Sequence, residues 1–353
     1  MKKIRKAASW TLVCILAAGM LIGCGKEQGE SKTKEVKDSD VPTEEREIFA
    51  MDTYMTLTAS GEQAQEALEA AEKEIERLDE LFSVGNDDSE IAIVNENGSE
   101  ILSEDTSYLL ERSMELYEST KGAFDITVYP LMEEWGFTTG DYQVPEESRI
   151  GELLKTVNAS LIQYEEEEKM LTLPEGVKID LGGIAKGYAS SRVMDIFEKY
   201  ELVSGMVSLG GNVQLYGTKT DGSLWRVAVE DPQETSDYLG ILEAQDEAII
   251  TSGGYERYFE QDGEKWHHIL DPKTGYPARS GLTSVTIVSG DGTLADGLST
   301  ALFVMGKERA LKYWRENAED FDVILVEEDG SITITEGIED SFSSDREYRV
   351  EKK

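Results

Sequence analysis

Residues 180–189 read DLGGIAKGYA, and this stretch decides how the middle of the chain folds. The apolar run that ends at Asp180 predicts a strand, and the glycine pair after it predicts a turn with positive φ. A helix that begins near Ala185 would present free backbone N–H groups, which attract phosphate. Lys186 would lie at the positive end of that helix, where a cation is unfavourable without a bound anion. A turn without any ligand would also explain the two glycines.

A second motif, ADGLSTALFVMG at residues 295–306, is predicted to lie on a long helix over residues 294–317. Asp296 and Thr300 are four residues apart, so their side chains share one helix face. Carboxylate and hydroxyl oxygens are hard donors of the kind that Mg²⁺ prefers. The alternative is structural, with Asp296 as an N-cap and Thr300 bonded to its own helix.

The third motif is HHILDPKTG at residues 267–275, and it contains the two histidines of the chain. Adjacent residues of a strand point to opposite faces, so at most one histidine faces a site beyond the Asp271-Pro272 turn. The position of His268 before that turn favours it as a general base, and His267 is expected to be inert.

The fourth motif is GAFDITVYPL at residues 122–131. Phe124 is expected to be a core residue. Asp125 lies in an apolar stretch and therefore needs a polar partner, which is either a backbone cap or a ligand.

Hydrophobic periodicity predicts an α+β fold with mixed α/β layers in a single two-lobed domain, and it argues against a doubly wound sheet. Helices are expected at residues 64–82, with Ser60 as N-cap, at residues 103–121, and after Gly187. Strands are expected at residues 51–59, 205–209, 213–216, 225–229, 238–242, 248–251 and 284–288, and two more lie within 161–179. Hairpins should turn at residues 262–263 and 329–330.

The N-terminus is typical of an address signal. Lys2, Lys3, Arg5 and Lys6 precede an apolar run, and residues 21–24, LIGC, resemble a bacterial lipobox. This predicts a signal peptide at residues 1–23, lipidation of Cys24 and a lipid anchor on the extracytoplasmic side of the membrane. Polar residues 24–47 are expected to form a flexible tether, and residues 48–353 the folded domain. An uncleaved anchor helix is the alternative.

The chain is strongly acidic. It has 34 Lys and Arg against 72 Asp and Glu, a formal net charge of −38. This charge argues against nucleic acid as a partner and against docking of the domain on an anionic membrane. An anionic substrate would need a local positive charge, and a bound divalent cation is the obvious source.

Taken together, these motifs resemble the FAD:protein FMN transferases of the ApbE family. The matching strings also include Met51-Asp52-Thr53, WGF at residues 135–137 and SLGGN at residues 208–212, all in family order. The resemblance implies an enzyme that binds FAD and Mg²⁺. It would transfer FMN to a Thr or Ser of an acceptor protein from an extracytoplasmic redox system, forming a phosphoester and releasing AMP.

The resemblance also implies roles for particular residues. His268 would be the catalytic base, and Mg²⁺ would be held by Asp296, Thr300 and a backbone carbonyl within Gly183 to Ala185. The FAD site would be lined by Met51, Ala123, Phe124, Asp125, Asp180, Lys186 and Ile269.

Three departures from the family pattern stand out. Asp52 replaces a glycine that is frequent in the family, and Ser299 stands where some members carry a second acid. Gly85-Asn86 stands where an aromatic residue commonly stacks on the flavin, so Tyr54 or Tyr255 could take that place.

Two other functions remain open from the residues. With water as the nucleophile, the same site would be an Mg²⁺-dependent FAD pyrophosphatase that yields FMN and AMP. A flavin-binding lipoprotein without catalysis would need neither a base nor a metal, so His268 and the Asp296–Thr300 pair argue against it.

Overall fold

The computed structural model describes residues 41–353. The helices are α1 (Ala64–Phe82), α2 (Glu90–Asn97), α3 (Glu104–Ser119), α4 (Tyr129–Trp135), α5 (Glu147–Leu153), α6 (Ala185–Lys199), α7 (Gly292–Met305) and α8 (Lys307–Glu316). The strands are β1 (Thr43–Ala50), β2 (Thr53–Ser60), β3 (Ser99–Ile101), β4 (Gln163–Glu165), β5 (Met170–Thr172), β6 (Ser204–Leu209), β7 (Asn212–Tyr216), β8 (Trp225–Glu230), β9 (Tyr238–Ala244), β10 (Ala248–Gly253), β11 (Tyr258–Gln261), β12 (Glu264–His267), β13 (Leu282–Ser289), β14 (Asp322–Glu327), β15 (Ile332–Thr335), β16 (Phe342–Ser343) and β17 (Tyr348–Glu351).

A nine-stranded sheet organises the molecule, in the order β1-β2-β6-β7-β10-β13-β14-β15-β17. Every neighbouring pair of strands in it is antiparallel except β15 and β17. Strand β1 forms one edge of the sheet, and β2 pairs with β6, which follows it by more than a hundred residues of chain.

The large sheet is covered on both faces. Helices α1, α6 and α7 pack on one face, and the small sheet β16-β9-β8 packs on the other. Strand β10 shows the division, because Ala248 and Ile250 join the helical core whereas Ile249 joins the core beneath the small sheet. This alternation is the period-two pattern of a strand that is buried on both faces. The prediction of mixed α/β layers is confirmed.

Most of the predicted elements are present, with two differences at helix ends. Ser60 belongs to β2, and α1 begins at Ala64 after Gln63, whose side chain makes no capping bond. The helix predicted at 294–317 is broken into α7 and α8 at Gly306, which has φ 75°. The left-handed conformation of this glycine ends the first helix and lets the second start in a new direction.

The strand predicted to end at Asp180 does not form. The side-chain amide of Asn95 bonds both backbone groups of Ile179, at 2.8 Å each, and so takes the place of a neighbouring strand. The N–H of Asp180 donates to the carbonyl of Ile126 at 2.9 Å. The positive φ predicted for the following glycine pair is also wrong, since neither glycine has one.

The expected boundary between tether and domain at residue 48 is wrong. Strand β1 begins at Thr43 and pairs with β2 along its whole length. The sequence did not indicate this strand because most of its residues are charged or polar. One of them, Arg46, forms ion pairs with Glu69 and Glu72 of α1. The predicted signal peptide and Cys24 lie outside the described residues. Within residues 41–353, no helix is long and apolar enough to cross a membrane.

Candidate active site

A single large cleft, with a volume of about 1600 Å³, gathers the residues that the sequence singled out. It lies where the β1–β2 turn, the β6–β7 turn, the loop before α6, the segment after β10 and helix α7 meet. The predicted site residues in its wall are Met51, Ala123, Phe124, Asp125, Asp180, Gly183, Ala185, Lys186, His268, Ile269, Asp296 and Thr300. Small-molecule pockets commonly measure about 300–1,000 Å³, so this cleft has room for a dinucleotide and part of a second molecule.

Close contact between helices α6 and α7 positions the buried carboxylate of Asp296. A Cβ atom on Gly187 would lie 2.1 Å from the carbonyl oxygen of Gly292, so this position tolerates only glycine. Because the helices approach so closely, the N–H of Gly187 donates to Asp296 Oδ2 at 2.8 Å. Asn212 Nδ2 donates to the other oxygen, Oδ1, at 3.3 Å. The motif glycine therefore serves helix packing.

Asp296 is electrostatically strained. Its side chain is only 5% exposed, and burial raises its pKa to about 6 despite the opposing field of Lys186 and the donated hydrogen bonds. Thr300 lies one turn further along α7 and is 3.3 Å from Ser252 Oγ, which also contacts Ser299 Oγ at 2.8 Å. A cation beside Asp296 would favour the ionised carboxylate that burial disfavours.

The oxygen donors of Asp296 and Thr300 fit a hard divalent cation whose coordination shell is completed by oxygen atoms of a substrate. Described residues contain no group of three or more His, Cys, Asp or Glu arranged to hold a metal. Mg²⁺ usually takes one or two protein carboxylates and fills its remaining positions with water and phosphate oxygens. If a metal binds here, Asp296, the Thr300 hydroxyl and a carbonyl within 183–185 would supply such a partial set.

His268 has a defined tautomer. Its Nδ1 lies 3.2 Å from the carbonyl oxygen of Arg257, and a carbonyl can only accept, so Nδ1 carries the proton. Nε2 then keeps a lone pair that can accept a proton. The side chain is half-buried, and its burial, together with the nearby Arg257, lowers its pKa to about 3. The imidazole is therefore neutral at physiological pH.

His267 does not line the cleft, and its inertness stays a prediction. Its Nε2 lies 3.1 Å from the carbonyl oxygen of Ala278, and its ring packs edge-on against Phe303. The segment after the histidines is fixed by Asp271, whose Oδ1 accepts from the N–H of Lys273 at 2.9 Å. Trp135 Nε1 donates to the carbonyl of Gly275 at 2.8 Å, which ties this segment to α4.

Two further carboxylates of the cleft wall, Asp125 and Asp180, differ in their hydrogen-bond partners. Asp125 accepts from the N–H of Thr127 at 2.8 Å and from the N–H of Ala159 at 3.2 Å, so it caps a short 3₁₀ turn. Asp180 accepts from the N–H of Gly182 at 2.8 Å through Oδ1. Burial raises the pKa of both carboxylates. The carboxylate of Asp125 thus makes capping bonds while the residue also lines the cleft, whereas Asp180 keeps Oδ2 for a ligand.

The turn between β1 and β2 forms one rim of the cleft. Met51 and Asp52 have φ values of 48° and 58°, the pattern of a tight two-residue hairpin. Asp tolerates this conformation better than most side chains, so Asp52 can replace the glycine that is frequent in the family. Of the two tyrosines that could replace the flavin-stacking aromatic residue, Tyr255 lines the cleft and Tyr54 does not, and the stacking role itself stays a prediction.

Three residues of the cleft wall were not predicted as site residues from the sequence. Glu256 and Arg257 follow β10 in the wall, and Asn212 bonds Asp296 from the start of β7. Glu256 faces the open cleft, yet the surrounding protein displaces enough water to raise its pKa to about 7. Arg257 also donates to the carbonyl of Phe137. The Gly-Gly pair at 253–254 was the available signal for this segment.

Comparison with known proteins agrees with this geometry. The model of the ApbE family matches residues 51–325. A Haemophilus influenzae protein named FAD:protein FMN transferase is 30% identical over 332 residues, which cover 90% of this chain and 94% of the relative. A Vibrio cholerae protein of the same name is 33% identical over 262 residues, 72% of this chain and 78% of the relative.

Solved structures show the same fold. The ApbE protein of Thermotoga maritima superposes with a TM-score of 0.80 at 36% identity, covering 87% of this chain and all of that one, 100%. The apo form of the flavinyl transferase ApbE of Pseudomonas stutzeri gives 0.77 at 28% identity, covering 87% and 98%. By sequence and by structure, this chain belongs to the ApbE family.

Proposed function

We propose that this protein is an FAD:protein FMN transferase that uses Mg²⁺ to transfer FMN from FAD to a Thr or Ser hydroxyl of an extracytoplasmic acceptor protein. The observation that carries the proposal is the meeting of His268, Lys186, Asp296 and Thr300 in one cleft large enough for FAD and part of an acceptor. The activity named for several relatives agrees with it. Met51, Ala123, Phe124, Asp125, Asp180, Lys186 and Ile269 are the proposed FAD contacts.

The reaction balances as a substitution at phosphorus. The acceptor oxygen forms a bond to the phosphorus on the FMN side, and the bond from that phosphorus to the bridging oxygen breaks. AMP leaves with the bridging oxygen. The hydroxyl proton passes to Nε2 of His268, whose Nδ1–H is held by the carbonyl of Arg257. For this step, the cleft must hold the attacking oxygen and the leaving oxygen nearly in line with the phosphorus.

In a cleft whose lining holds more acidic than basic residues, an anionic substrate would need the positive charge of Lys186 and of a bound Mg²⁺. Lys186 supplies a fixed positive charge whose field acts on Asp296 and on Glu256. Mg²⁺, held by Asp296, Thr300 and a carbonyl within 183–185, would supply charge neutralisation at the phosphate oxygens. The low pKa of His268 belongs to the protein without substrate. A bound pyrophosphate would favour the protonated imidazole and so make it a stronger base.

Transfer and hydrolysis can be separated in one assay. The purified protein is incubated with FAD, Mg²⁺ and an acceptor domain, and the acceptor is examined for covalent flavin fluorescence on a denaturing gel. Flavin on the acceptor that disappears with a chelator supports the proposal. Free FMN released at the same rate with and without acceptor would identify an FAD pyrophosphatase instead. Full transfer in the presence of a chelator would contradict the metal dependence.

We place the enzyme at the membrane through a lipid on Cys24, which would bring it to the same side as its acceptor. Incorporation of radiolabelled lipid into the wild type, and its loss in a Cys24→Ala variant, is the expected result. Equal label in both proteins would contradict this anchor.

A further inference from the structure

The β1–β2 hairpin presents one face that no described part of the protein covers. Its other face packs on α1 through residues such as Ile48 and Leu57, which are buried. Cross-strand pairs share a face, so the register of Glu45 with Thr58 and of Phe49 with Tyr54 puts these four side chains on the outer side. Phe49 is 62% exposed and Tyr54 is 80% exposed, the highest values among large apolar or aromatic side chains of the described residues.

The small sheet that covers this face of the large sheet does not extend over the β1–β2 hairpin. Met206 of β6 pairs with Thr58 and therefore points to the same face, and it is buried in the core beneath the small sheet β16-β9-β8. One strand further out, nothing in residues 41–353 lies over Phe49 and Tyr54. Two aromatic side chains are thus left in water beside a covered surface, an arrangement typical of a binding site.

The exposed aromatic pair is pre-organised. The two rings lie 5.0 Å apart in an edge-to-face arrangement, at an interplanar angle of 69°. Rigid aromatic side chains lose little conformational entropy on binding and are frequent among the residues that dominate binding energy. Exposed Glu45 and Glu47 lie on the same face of the edge strand.

This face is continuous with the reaction cleft. Met51, Asp52 and Thr53 line the cleft, and they separate Phe49 from Tyr54 in the chain. A protein seated on the outer face would therefore lie directly beside the cleft rim. The acidic neighbours favour a partner surface in which basic side chains flank an apolar patch.

We propose that the outer face of the hairpin, formed by Glu45, Glu47, Phe49 and Tyr54, is the docking surface for the folded acceptor protein. The acceptor would place an apolar patch on the two rings and Lys or Arg side chains against the two glutamates. This inference rests on the proposed transfer of FMN to a protein. In this arrangement the acceptor binds mainly to a surface outside the cleft, and the transfer reaction takes place inside the cleft.

The test compares two acceptors and two variants. FMN transfer is measured with an intact acceptor protein and with a short peptide that carries only its target sequence. For the double variant Phe49→Ser/Tyr54→Ser, KM for the intact acceptor should rise by about tenfold or more. Its kcat at saturation, its KM for the peptide and its affinity for FAD should not change. Ile101→Ser, a 59% exposed residue of another sheet, is the matched control and should behave as wild type.

Charge reversal gives an independent readout. Glu45→Lys/Glu47→Lys should raise KM for the intact acceptor at low salt, and the difference from wild type should shrink as salt rises. Unchanged KM for the intact acceptor in both double variants would overturn the docking surface while transfer itself continues. Equal loss with protein and with peptide would show that the variants damage the cleft. A wild-type dimer that dissociates in the aromatic variant would show that a second copy of the chain occupies the face. Absence of transfer by the wild type would instead contradict the proposed function.

Discussion

Replacing Asp296 with Asn should make the metal-free protein more stable at pH 8, although the same change should abolish Mg²⁺ binding. The carboxylate is 5% exposed, and burial raises its pKa from 3.8 to about 6. A folded-state pKa above the unfolded value means that its contribution to stability is fully present below about pH 4 and is lost as pH rises through about 6. At pH 8 the protein therefore carries the cost of a buried charge.

The size of the effect follows from that shift. About 2 pKa units at about 1.4 kcal/mol each give about 3 kcal/mol of destabilisation by the wild-type carboxylate at pH 8. Asn has one acceptor oxygen for the two donors Gly187 N–H and Asn212 Nδ2, so one hydrogen bond worth about 1 kcal/mol is lost. The net gain at pH 8 is about 2 kcal/mol, which raises the unfolding midpoint by roughly 3 °C in a domain of this size. At pH 4 only the lost hydrogen bond remains, and the variant should be slightly less stable than wild type.

Thermal unfolding in chelator at pH 8, 6 and 4 measures this crossover as the difference between variant and wild type. Asp291→Asn, which changes the exposed N-cap of the same helix with its side chain 41% exposed, is the matched control and should not gain stability over wild type at pH 8. Mg²⁺ at pH 8 should then stabilise the wild type and leave Asp296→Asn unchanged. A variant that is destabilised equally at all three pH values, or stabilised by Mg²⁺ as strongly as wild type, would refute the reasoning.

Three further variants test other parts of the site. His268→Ala should lower kcat by about 10²–10⁴-fold with FAD affinity retained, whereas His267→Gln, which alters the neighbouring imidazole, should keep activity; equal loss in both would contradict the assigned base. Lys186→Met should raise the dissociation constant for FAD by about tenfold in flavin fluorescence titrations, since it removes a charge-assisted contact worth about 1.5 kcal/mol. Gly187→Ala should cost about 3 kcal/mol in denaturant unfolding, because its Cβ would lie 2.1 Å from the Gly292 carbonyl oxygen. Gly151→Ala, on helix α5 with no atom within 4 Å of the added Cβ, should be neutral or stabilising, and equal losses would mean that helix crossing does not constrain Gly187.

Short-range patterns in the sequence determined much of this protein. The apolar spacing in 64–82 predicts α1, and the short apolar run at residues 248–251 predicts β10, because both signals span only a few neighbouring residues. The motifs also indicated which side chains line the cleft, because each motif combines a turn with a helix or strand that orients its side chains. Strand β1, by contrast, was not predicted, because its charged residues are typical of a flexible tether.

Only the tertiary structure decided the remaining features, because they depend on contacts between distant parts of the chain. The pairing of β2 with β6 could not be read from either strand, and Asn95 replaced the strand expected before Asp180. Likewise, the tautomer of His268 is set by the carbonyl of Arg257, and the pKa of Asp296 is set by burial between two helices. The sequence states which chemical groups are present, whereas their proton affinities and partners arise from the packing that surrounds them.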